Sequence, residues 1–244
     1  MNRLELIKTI FLKSNFKNYL EIGCYKGKTF FPVSAKKKIA VDPSFHPLFY
    51  KELIFTLIKK PNNFRNKYFR ETSDDFFNNH KQFLTNLKTI DVVLIDGLHT
   101  FETSLNDVIN SLNYLNPDGV IVMHDCNPTN PAAALPTKHF PTKEDLVGVE
   151  GWTGAWCGDV WKTIAYLNKY HAHELDVYVL NTDNGLGIVR RKSSNNIKPN
   201  QFFNLDDYNN INRMVYSELE LDREKLLNLK SANYAEDLIK EICN

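Results

Sequence analysis

The chain has 244 residues, which is enough for one α/β domain, or one domain with appendages, around a buried core. Its 30 Lys and Arg residues and 29 Asp and Glu residues leave a net charge of +1, so charge gives no reason to expect binding to nucleic acid or to an anionic membrane. The four cysteines lack C-x-x-C spacing. The apolar stretch 4–12 is short and broken by Glu5 and Lys8, so we expect neither a signal peptide nor a membrane span there. We therefore expect a cytoplasmic protein with reduced thiols.

An apolar strand over 19–22 opens the predicted fold and turns through two glycines, Gly23 and Gly27. We predict a short helix from Thr29, because a strand that turns through glycines into a helix lets backbone N–H groups approach a ligand. Dinucleotide sites usually carry three glycines as G-x-G-x-x-G, whereas here there are two, and Glu21 lies at the strand end. This E-x-G-x-x-x-G pattern suits a nucleoside that carries an amino acid. It resembles the first motif of class I S-adenosylmethionine (SAM) methyltransferases.

A second short strand over 38–41 ends at Asp42, 19 positions after Gly23. A carboxylate that ends the second strand of a βαβ unit, ~20 residues after the glycines, is placed to accept hydrogen bonds from both ribose hydroxyls. The same carboxylate could instead open the turn 42–44, as Asp often does. The two roles are compatible, and we expect Asp42 to bind a ribose.

The predicted elements alternate between helix and strand up to residue 123. The helix that starts at Ser73 has Asp74 in its first turn, where negative charge suits the helix dipole. The full series is a helix over 46–59, a strand over 67–71, the helix from 73, a strand over 91–96, a helix over 100–115 that is stopped by 116–119, and a strand over 120–123. Such alternation predicts a doubly wound, mostly parallel sheet.

The second half of the chain begins with a long loop over 126–158, which is rich in proline and glycine. A loop of this length inside a compact domain is usually functional or disordered, and we expect it to bind the substrate. A helix over 159–170 follows. The turn signal Asp183-Asn184-Gly185 then predicts a hairpin between strands over 175–180 and 186–189.

The order of these elements predicts the domain organisation. Five parallel strands followed by an antiparallel hairpin make a Rossmann-like, seven-stranded sheet, which is the topology of the class I methyltransferase fold. We expect this domain to cover 1–192 and a helical extension to cover 200–244. The sequence leaves open whether the extension forms a lid or a contact between identical subunits.

Four side chains that can do chemistry follow the fourth and fifth strands, namely Asp96, His99, His124 and Asp125. In doubly wound sheets, ligands bind outside the carboxyl ends of the strands, so these side chains should share one rim. Each aspartate could merely cap the next helix or turn, and His99 could be a rim histidine bonded to backbone. Because these separate explanations would have to coincide, we interpret the four residues as one functional site.

Longer stretches around these residues give a more specific resemblance. The segments IDGLHTFETSLNDV and GVIVMHDCNP, with TSDDFF upstream and GDVWK and TDNGLG downstream, occur in the order seen in one methyltransferase family. That family contains macrolide-sugar O-methyltransferases and the cephamycin-pathway protein, and the chain resembles it over residues 19 to 190. The resemblance implies SAM as the cofactor and a hydroxyl group of a sugar or small molecule as the methyl acceptor.

The resemblance also implies roles for the rim residues. In the sugar methyltransferases this pattern holds magnesium, and Asp96 and Asp125 match ligand positions while His99 matches the general base. His124 stands where a further carboxylate would be, which weakens a site for a hard ion such as Mg²⁺. The resemblance therefore leaves open Mg²⁺, a softer divalent ion with His124 as a ligand, or no ion.

We expect SAM to lie along the same rim, with its sulfonium methyl group facing the acceptor. The expected cofactor contacts are Glu21, Gly23, Tyr25 and Gly27 for the methionine end, Asp42 for the ribose, Ser73 and Asp74 for the adenine, and Asp96 beside the cofactor. Trp152, Trp156 and Trp161 would either wall the acceptor pocket or simply pack the loop onto the sheet. His99 would act as an unperturbed imidazole, which titrates near pH 6.5.

Two other classes of function stay open. A nicotinamide-dependent oxidoreductase on a Rossmann sheet is disfavoured by the missing third glycine and by the terminal hairpin. A protein that binds SAM or another adenosine compound as a non-catalytic partner subunit is compatible with the sequence. In such a protein, however, His99 beside Asp96 would lack an obvious purpose.

Overall fold

The computed structural model describes residues 1–59, 65–192 and 202–243. The strands are β1 (Asn18–Ile22), β2 (Lys37–Val41), β3 (Lys67–Phe69), β4 (Ile90–Ile95), β5 (Leu115–Met123), β6 (Leu175–Leu180), β7 (Leu186–Arg191) and β8 (Leu229–Lys230). The helices are α1 (Arg3–Lys13), α2 (Pro47–Lys59), α3 (Ser73–Asn79), α4 (Lys81–Leu87), α5 (Phe101–Leu112), α6 (Val160–Tyr170), α7 (Leu205–Asn212), α8 (Tyr216–Leu226) and α9 (Ala235–Cys243). Most of the predicted elements therefore form, with ends that differ by a few residues.

Within the described residues, the strands make one eight-stranded sheet in the order β3-β2-β1-β4-β5-β7-β6-β8. The first five strands pair in parallel, and β7 runs antiparallel to both β5 and β6. The predicted doubly wound, mostly parallel sheet with a terminal antiparallel hairpin is confirmed. The predicted number of strands is one too few, because Leu229–Lys230 pairs in parallel with β6.

A hydrophobic core lies on each face of the sheet, so the central strand β4 is buried on both faces. Val93 of β4 packs in the cluster that contains Leu105 of α5, whereas its neighbour Val92 packs in the cluster that contains Leu6 of α1 and Leu238 of α9. Burying a Val or Leu side chain contributes roughly 1.5–3 kcal/mol, so both faces hold the strand in register. This packing fixes the position at which β4 ends and its loop begins.

The helix predicted from Thr29 is wrong, since residues 28–32 form successive turns. The buried ammonium of Lys38 takes up the backbone carbonyl groups of this segment. Its Nζ donates to the carbonyl oxygens of Phe30 at 2.8 Å and Val33 at 3.1 Å. Because a buried cation satisfies these carbonyls, the segment does not need the hydrogen bonds of a helix.

The predicted stop over 116–119 lies inside β5 rather than before it. Helix α5 ends at Leu112, and the pairing of β4 with β5 shifts register between Ile90 and Val92. A Cβ atom at Gly119 would lie 2.8 Å from the carbonyl oxygen of Asp91, which explains the glycine at this position. The turn residues therefore bend a strand that has already begun.

The C-terminal residues pack onto the sheet domain. Helices α7 and α8 contact α6, and α9 contacts α1. Arg223 of α8 donates to the side-chain oxygen of Asn127 and, at 2.8 Å, to the carbonyl oxygen of Pro128, so α8 is tied to the loop after β5. The predicted boundary between 192 and 200 lies outside the described residues. Within the three described ranges, no helix is both long and apolar enough to cross a bilayer.

Candidate active site at the strand ends

The side chains predicted to share one rim do come together. Asp96 follows β4, while His124 and Asp125 follow β5, and one ligand atom from each of the three lies within 4.8 Å of the others. The Nδ1–H of His124 donates to Oδ2 of Asp125 at 2.7 Å and lies 3.3 Å from Oδ1 of Asp96. The backbone of Asp125 has φ +60°, a left-handed conformation that Asp tolerates better than most residues. The local bend after β5 therefore aims this carboxylate across the rim.

His99 is oriented by the loop that follows β5. Its Nδ1–H donates to the carbonyl oxygen of Trp156 at 2.7 Å, and the two rings are in contact, with centroids 4.8 Å apart and planes tilted by 30°. In the neutral ring this bond places the lone pair on Nε2, which lies 3.4 Å from Oδ2 of Asp125 and 3.8 Å from Oδ1 of Asp96. A Cβ atom at Gly158 would lie 2.2 Å from the carbonyl oxygen of His99, so glycine is needed for this approach.

The imidazole of His99 is not unperturbed, contrary to the expectation from the sequence. Burial disfavours its charged form, but Asp96 and Asp125 favour that form more strongly and raise the pKa of His99 above its ordinary value. The two carboxylates therefore make Nε2 a stronger base than a solvent-exposed imidazole.

The hairpin between β6 and β7 contributes two polar groups that the sequence analysis did not assign to the site. The Nδ2 of Asn184 donates to Oδ1 of Asp125 at 3.1 Å, and Asp183 lies 3.5 Å from Nε2 of His124. Both turn residues have positive φ, 50° for Asp183 and 58° for Asn184, as the turn signal requires. The signal located the hairpin, but the fold brings its side chains to the strand ends.

Arg3 also enters this site, although no pattern in the sequence indicated it. Its Nη1 donates to Nε2 of His124 at 2.6 Å and to Oδ2 of Asp183 at 3.1 Å, and its Nε lies 3.6 Å from Oδ2 of Asp96. The first turn of α1 is fixed by reciprocal bonds of 3.0 Å between the side chains and backbone N–H groups of Asn2 and Glu5. A capped helix therefore presents the guanidinium to the acid cluster.

The charges of this cluster oppose one another at His124. Burial lowers the pKa of His124, but the contacts with Asp125, Asp183 and Asp96 outweigh burial, so these carboxylates raise the pKa above its ordinary value. The guanidinium of Arg3 can only donate, so its 2.6 Å contact requires an unprotonated Nε2 and favours the neutral ring. We assign this neutral form to the arrangement described, with Nδ1–H bonded to Asp125.

Two carboxylates of the cluster, those of Asp96 and Asp183, are held in their charged form. Burial would raise the pKa of Asp96, but the neighbouring His124 and His99 outweigh this effect and hold the pKa well below its usual range. The pKa of Asp183 is also depressed, because the neighbouring His124 and Arg3 outweigh the effect of burial.

The predicted ligands for a divalent ion are thus adjacent, but each already faces a protein donor. Oδ2 of Asp125 accepts from His124, and its Oδ1 accepts from Asn184. Both nitrogens of His124 are engaged, and Asp96 lies beside Arg3 and His124. One imidazole, two engaged carboxylates and a resident guanidinium fit a hard divalent ion poorly.

The glycine turn lies beside these residues, at the end of β1. A Cβ atom at Gly23 would lie 2.0 Å from the carbonyl oxygen of Asp96, and Gly23 has φ +84°. Asp42 accepts from the backbone N–H of Tyr25 at 2.7 Å and from that of Ser44 at 2.7 Å, so its predicted turn role is confirmed. Each carboxylate oxygen has a further lone pair, and the ribose role of Asp42 stays a prediction.

Gly27 is required by packing within the same turn. A Cβ atom there would lie 2.3 Å from the ring of Phe31, and the backbone has φ +74°. The spacing of the two glycines therefore has a structural explanation in addition to the predicted cofactor contact.

Glu21 is buried under the turn, with 2% of its surface exposed. Its Oε2 accepts from the hydroxyl group of Tyr19 at 2.6 Å. Burial raises the pKa of Glu21 to about 8, since the bond from Tyr19 only partly offsets it. Near neutral pH this group is therefore mainly a neutral acid until a cation approaches it.

The residues predicted for the adenine end lie at the start of α3. Ser73 is buried and Asp74 is exposed. The sequence analysis missed Asp107 of α5, whose two carboxylate oxygens are buried without a hydrogen-bond partner among the described residues. One of these oxygens lies 3.7 Å from the position of a Cβ atom at Gly97, in the turn after β4. Burial raises the pKa of Asp107 to about 7, in spite of the Ser73 hydroxyl group.

Aromatic side chains of the long loop gather outside His99. The ring of Phe140 lies 6.1 Å from that of Trp152 and 5.9 Å from that of Trp156, both edge to face. Phe140 is 63% exposed, so this wall borders solvent. The expected wall role of Trp161 is wrong, because Trp161 is 1% exposed within the core between the sheet and α6.

Part of the chain is similar to a known family of protein domains. The family described as "Methyltransferase domain" matches residues 20–126, which run from β1 to the end of β5 and include Asp42, Asp96 and Asp125. No curated protein sequence is significantly similar to this chain.

The fold is similar to those of solved methyltransferases. A Staphylococcus aureus protein described as a caffeoyl-CoA O-methyltransferase has a TM-score of 0.54 at 17% identity, over 77% of this chain and 82% of its own. The Podospora anserina methyltransferase PaMTH1, solved with S-adenosylhomocysteine (SAH), has a TM-score of 0.52 at 18% identity. The match covers 79% of this chain and 80% of PaMTH1. TomG from Streptomyces achromogenes, an O-methyltransferase involved in tomaymycin synthesis and solved with SAM, has a TM-score of 0.52 at 10% identity. The match covers 78% of this chain and 81% of TomG.

At these identities the solved structures establish the fold alone, and the family match over residues 20–126 supports a methyltransferase activity. The narrower resemblance to macrolide-sugar methyltransferases stays a prediction. Together, the family match and the fold support a SAM-dependent methyltransferase.

Proposed function

We propose that this protein transfers the methyl group of SAM to a hydroxyl oxygen of a sugar or another small molecule. The observation that carries the proposal is the geometry of His99. Its Nδ1–H is held by the carbonyl oxygen of Trp156 at 2.7 Å, so the lone pair of the neutral ring is on Nε2, beside Asp96 and Asp125. A base is needed here because an alcohol is a poor nucleophile while it keeps its proton.

The proposed reaction is a single displacement. The acceptor oxygen attacks the methyl carbon in line with the sulfur, an O–C bond forms, and the C–S bond breaks with its electron pair returning to sulfur. The proton of the hydroxyl group passes to Nε2 of His99, and SAH leaves. The carboxylates of Asp96 and Asp125 stabilise the imidazolium that results.

The cofactor is proposed to lie across the ends of β1, β2 and β4. Its ammonium group would meet Glu21, its ribose would meet Asp42, and its adenine would lie near Ser73 and Asp74. This placement follows the rule that ligands bind outside the carboxyl ends of strands in doubly wound sheets. It brings the sulfonium group to the side of the rim where Asp96 and His99 lie.

The acceptor is proposed to bind against the aromatic wall of Phe140, Trp152 and Trp156. Ring faces of this kind suit the apolar face of a sugar or an aromatic ring. The same wall contains the residue that orients His99, so acceptor binding and base placement would depend on one loop.

A binding experiment separates this proposal from its two alternatives. Isothermal titration with SAH and with NAD should give heat with SAH only, which would exclude a nicotinamide oxidoreductase. Incubation with methyl-labelled SAM and a panel of hydroxylated sugars and phenols should then give a labelled product. SAH binding with no product on any acceptor, and no slow hydrolysis of SAM, would favour the non-catalytic partner; absence of SAH binding would overturn the proposal.

A further inference from the structure

We propose that Arg3 is the resident cation of the acid cluster formed by Asp96, Asp125 and Asp183, and that this site works without a divalent metal ion. The inference concerns what neutralises the cluster, so it stands apart from the proposed methyl transfer. It replaces the metal that the resemblance in the sequence implies with a side chain of the protein itself.

The first argument is the space that the guanidinium occupies. Nη1 of Arg3 lies 2.6 Å from Nε2 of His124, and Nε lies 3.6 Å from Oδ2 of Asp96. The distance from Mg²⁺ to each oxygen atom that coordinates it is about 2.1 Å. An ion that used these atoms would therefore compete with the guanidinium for the same volume, and the two positive charges would repel each other.

The second argument is that the guanidinium spans groups that no single point charge would span. Nη1 donates to His124 and Asp183, while Nε faces Asp96 on the other side. A planar guanidinium has five donors in a fixed fork, whereas an ammonium group is a compact charge. Arg3 therefore fixes the relative positions of the turn after β4, the end of β5 and the hairpin turn.

The third argument is that the backbone, as well as the side chain, anchors this cation. The N–H of Arg3 donates to Oδ2 of Asp183 at 2.9 Å, and the hydroxyl group of Thr182 donates to the carbonyl oxygen of Met1 at 3.1 Å. Helix α1 then buries Leu6 and Ile10 completely. The backbone that carries the guanidinium is therefore held in place by a packed helix.

The test is a titration of the full chain with Mn²⁺. Calorimetry measures the heat of binding, and electron paramagnetic resonance measures the concentration of the free ion. Wild-type protein should take up no Mn²⁺ at the cluster at millimolar concentration. Arg3→Gln should gain a Mn²⁺ site at least about tenfold tighter than any in the wild type, since it frees Nε2 of His124 and the carboxylates of Asp96 and Asp183 and removes the competing charge. Adding Asp125→Asn to Arg3→Gln should abolish that site.

Two further variants control for charge and folding. Lys8→Gln removes one positive charge from the exposed face of the same helix and should behave as the wild type. Arg3→Lys keeps a positive charge in the cluster and should still exclude Mn²⁺. Circular dichroism of each variant checks that α1 and the sheet are intact.

Mn²⁺ uptake by the wild type that is lost in Asp125→Asn would overturn the proposal, whatever the Arg3 variants do. A folded Arg3→Gln that gains no Mn²⁺ site would also overturn it. SAH titrations run on the same samples test the proposed function separately, because a protein that binds no SAH could still exclude Mn²⁺ through Arg3.

Discussion

The Nδ1–H of His99 donates to the backbone carbonyl oxygen of Trp156 at 2.7 Å, and the centroids of the two tilted rings lie 4.8 Å apart. His99 belongs to the loop after β4, whereas Trp156 belongs to the long loop after β5. The contact therefore ties the proposed base to the aromatic wall that is proposed to bind the acceptor. Because a carbonyl oxygen can only accept, the contact also determines which ring nitrogen carries the lone pair.

Replacing His99 by Gln should lower kcat by about 10²–10⁴-fold, the usual span for loss of a general base. SAH affinity should be nearly unchanged, because His99 is proposed to touch the acceptor and not the cofactor. The measurement is steady-state kinetics on an acceptor found in the screen, together with SAH titration. The matched control is His173→Gln, which changes an exposed histidine whose side chain is 75% exposed. Full turnover by His99→Gln would show that His99 is structural.

Removing the carboxylate of Asp42 should weaken SAH binding by roughly 2 to 4 kcal/mol if two charge-assisted hydrogen bonds to the ribose are lost. Asp42 also holds the N–H groups of Tyr25 and Ser44, so weaker binding alone could reflect a disturbed turn. The deciding measurement compares SAH with an analogue that lacks both ribose hydroxyl groups. Wild-type protein should prefer SAH, and Asp42→Ala should bind the two ligands alike. A preference that survives in Asp42→Ala would contradict the ribose contact.

The sequence was sufficient to predict the sheet and much of the rim, because both depend on local patterns. Apolar runs such as β4 predict buried parallel strands, and the rule for doubly wound sheets then places Asp96 and Asp125 together. The hairpin turn at Asp183 was predicted because Asp, Asn and Gly are residue types that favour positive φ in tight turns. The predicted helix from Thr29 failed because the buried Lys38 satisfies carbonyl groups in a way that no periodicity records.

Other parts of the site depend on contacts that no local pattern encodes. Arg3 meets His124 across 121 positions and Asp183 across 180, so its role follows from the packing of α1 and not from its neighbours in sequence. Asp107 was hidden in a different way. It stands among the apolar positions of α5, and only the three-dimensional structure shows that no described residue hydrogen-bonds to its carboxylate.

Binding of SAH near pH 7 should release close to one proton, because Glu21 must ionise to pair with the ammonium group of the ligand. Burial raises the pKa of free Glu21 to about 8, so the group is mainly protonated at pH 7, and pairing with a cation lowers that pKa. SAH affinity should therefore rise as pH rises toward 8. Calorimetry in two buffers with different heats of ionisation measures the released proton. Glu21→Gln should release none, and equal heats in both buffers for the wild type would argue against the contact.

The stability of the free protein should depend on pH through Asp107. Burial raises the pKa of Asp107 from 3.8 in the unfolded chain to about 7. A carboxyl group whose pKa is higher in the folded state keeps its proton there while the unfolded chain has already lost it. Its contribution is therefore complete below pH 4, falls as pH rises toward 7, and stays constant above that. At 1.36 kcal/mol per unit, the loss is about 4 kcal/mol in all.

Urea unfolding between pH 4 and 8 isolates this effect when the wild type is compared with Asp107→Asn. The variant cannot ionise at this position, so the free energy of unfolding of the wild type should fall relative to that of the variant as pH rises from 4 to 7. Other groups titrate over this range, Glu21 among them, but they are common to both proteins and cancel in the difference. Asp118→Asn, at an exposed aspartate, is the matched control and should run parallel to the wild type. Parallel curves for the wild type and Asp107→Asn would mean that Asp107 has the ordinary pKa of an aspartate in the folded protein. They would also mean that its carboxylate has a partner in solution.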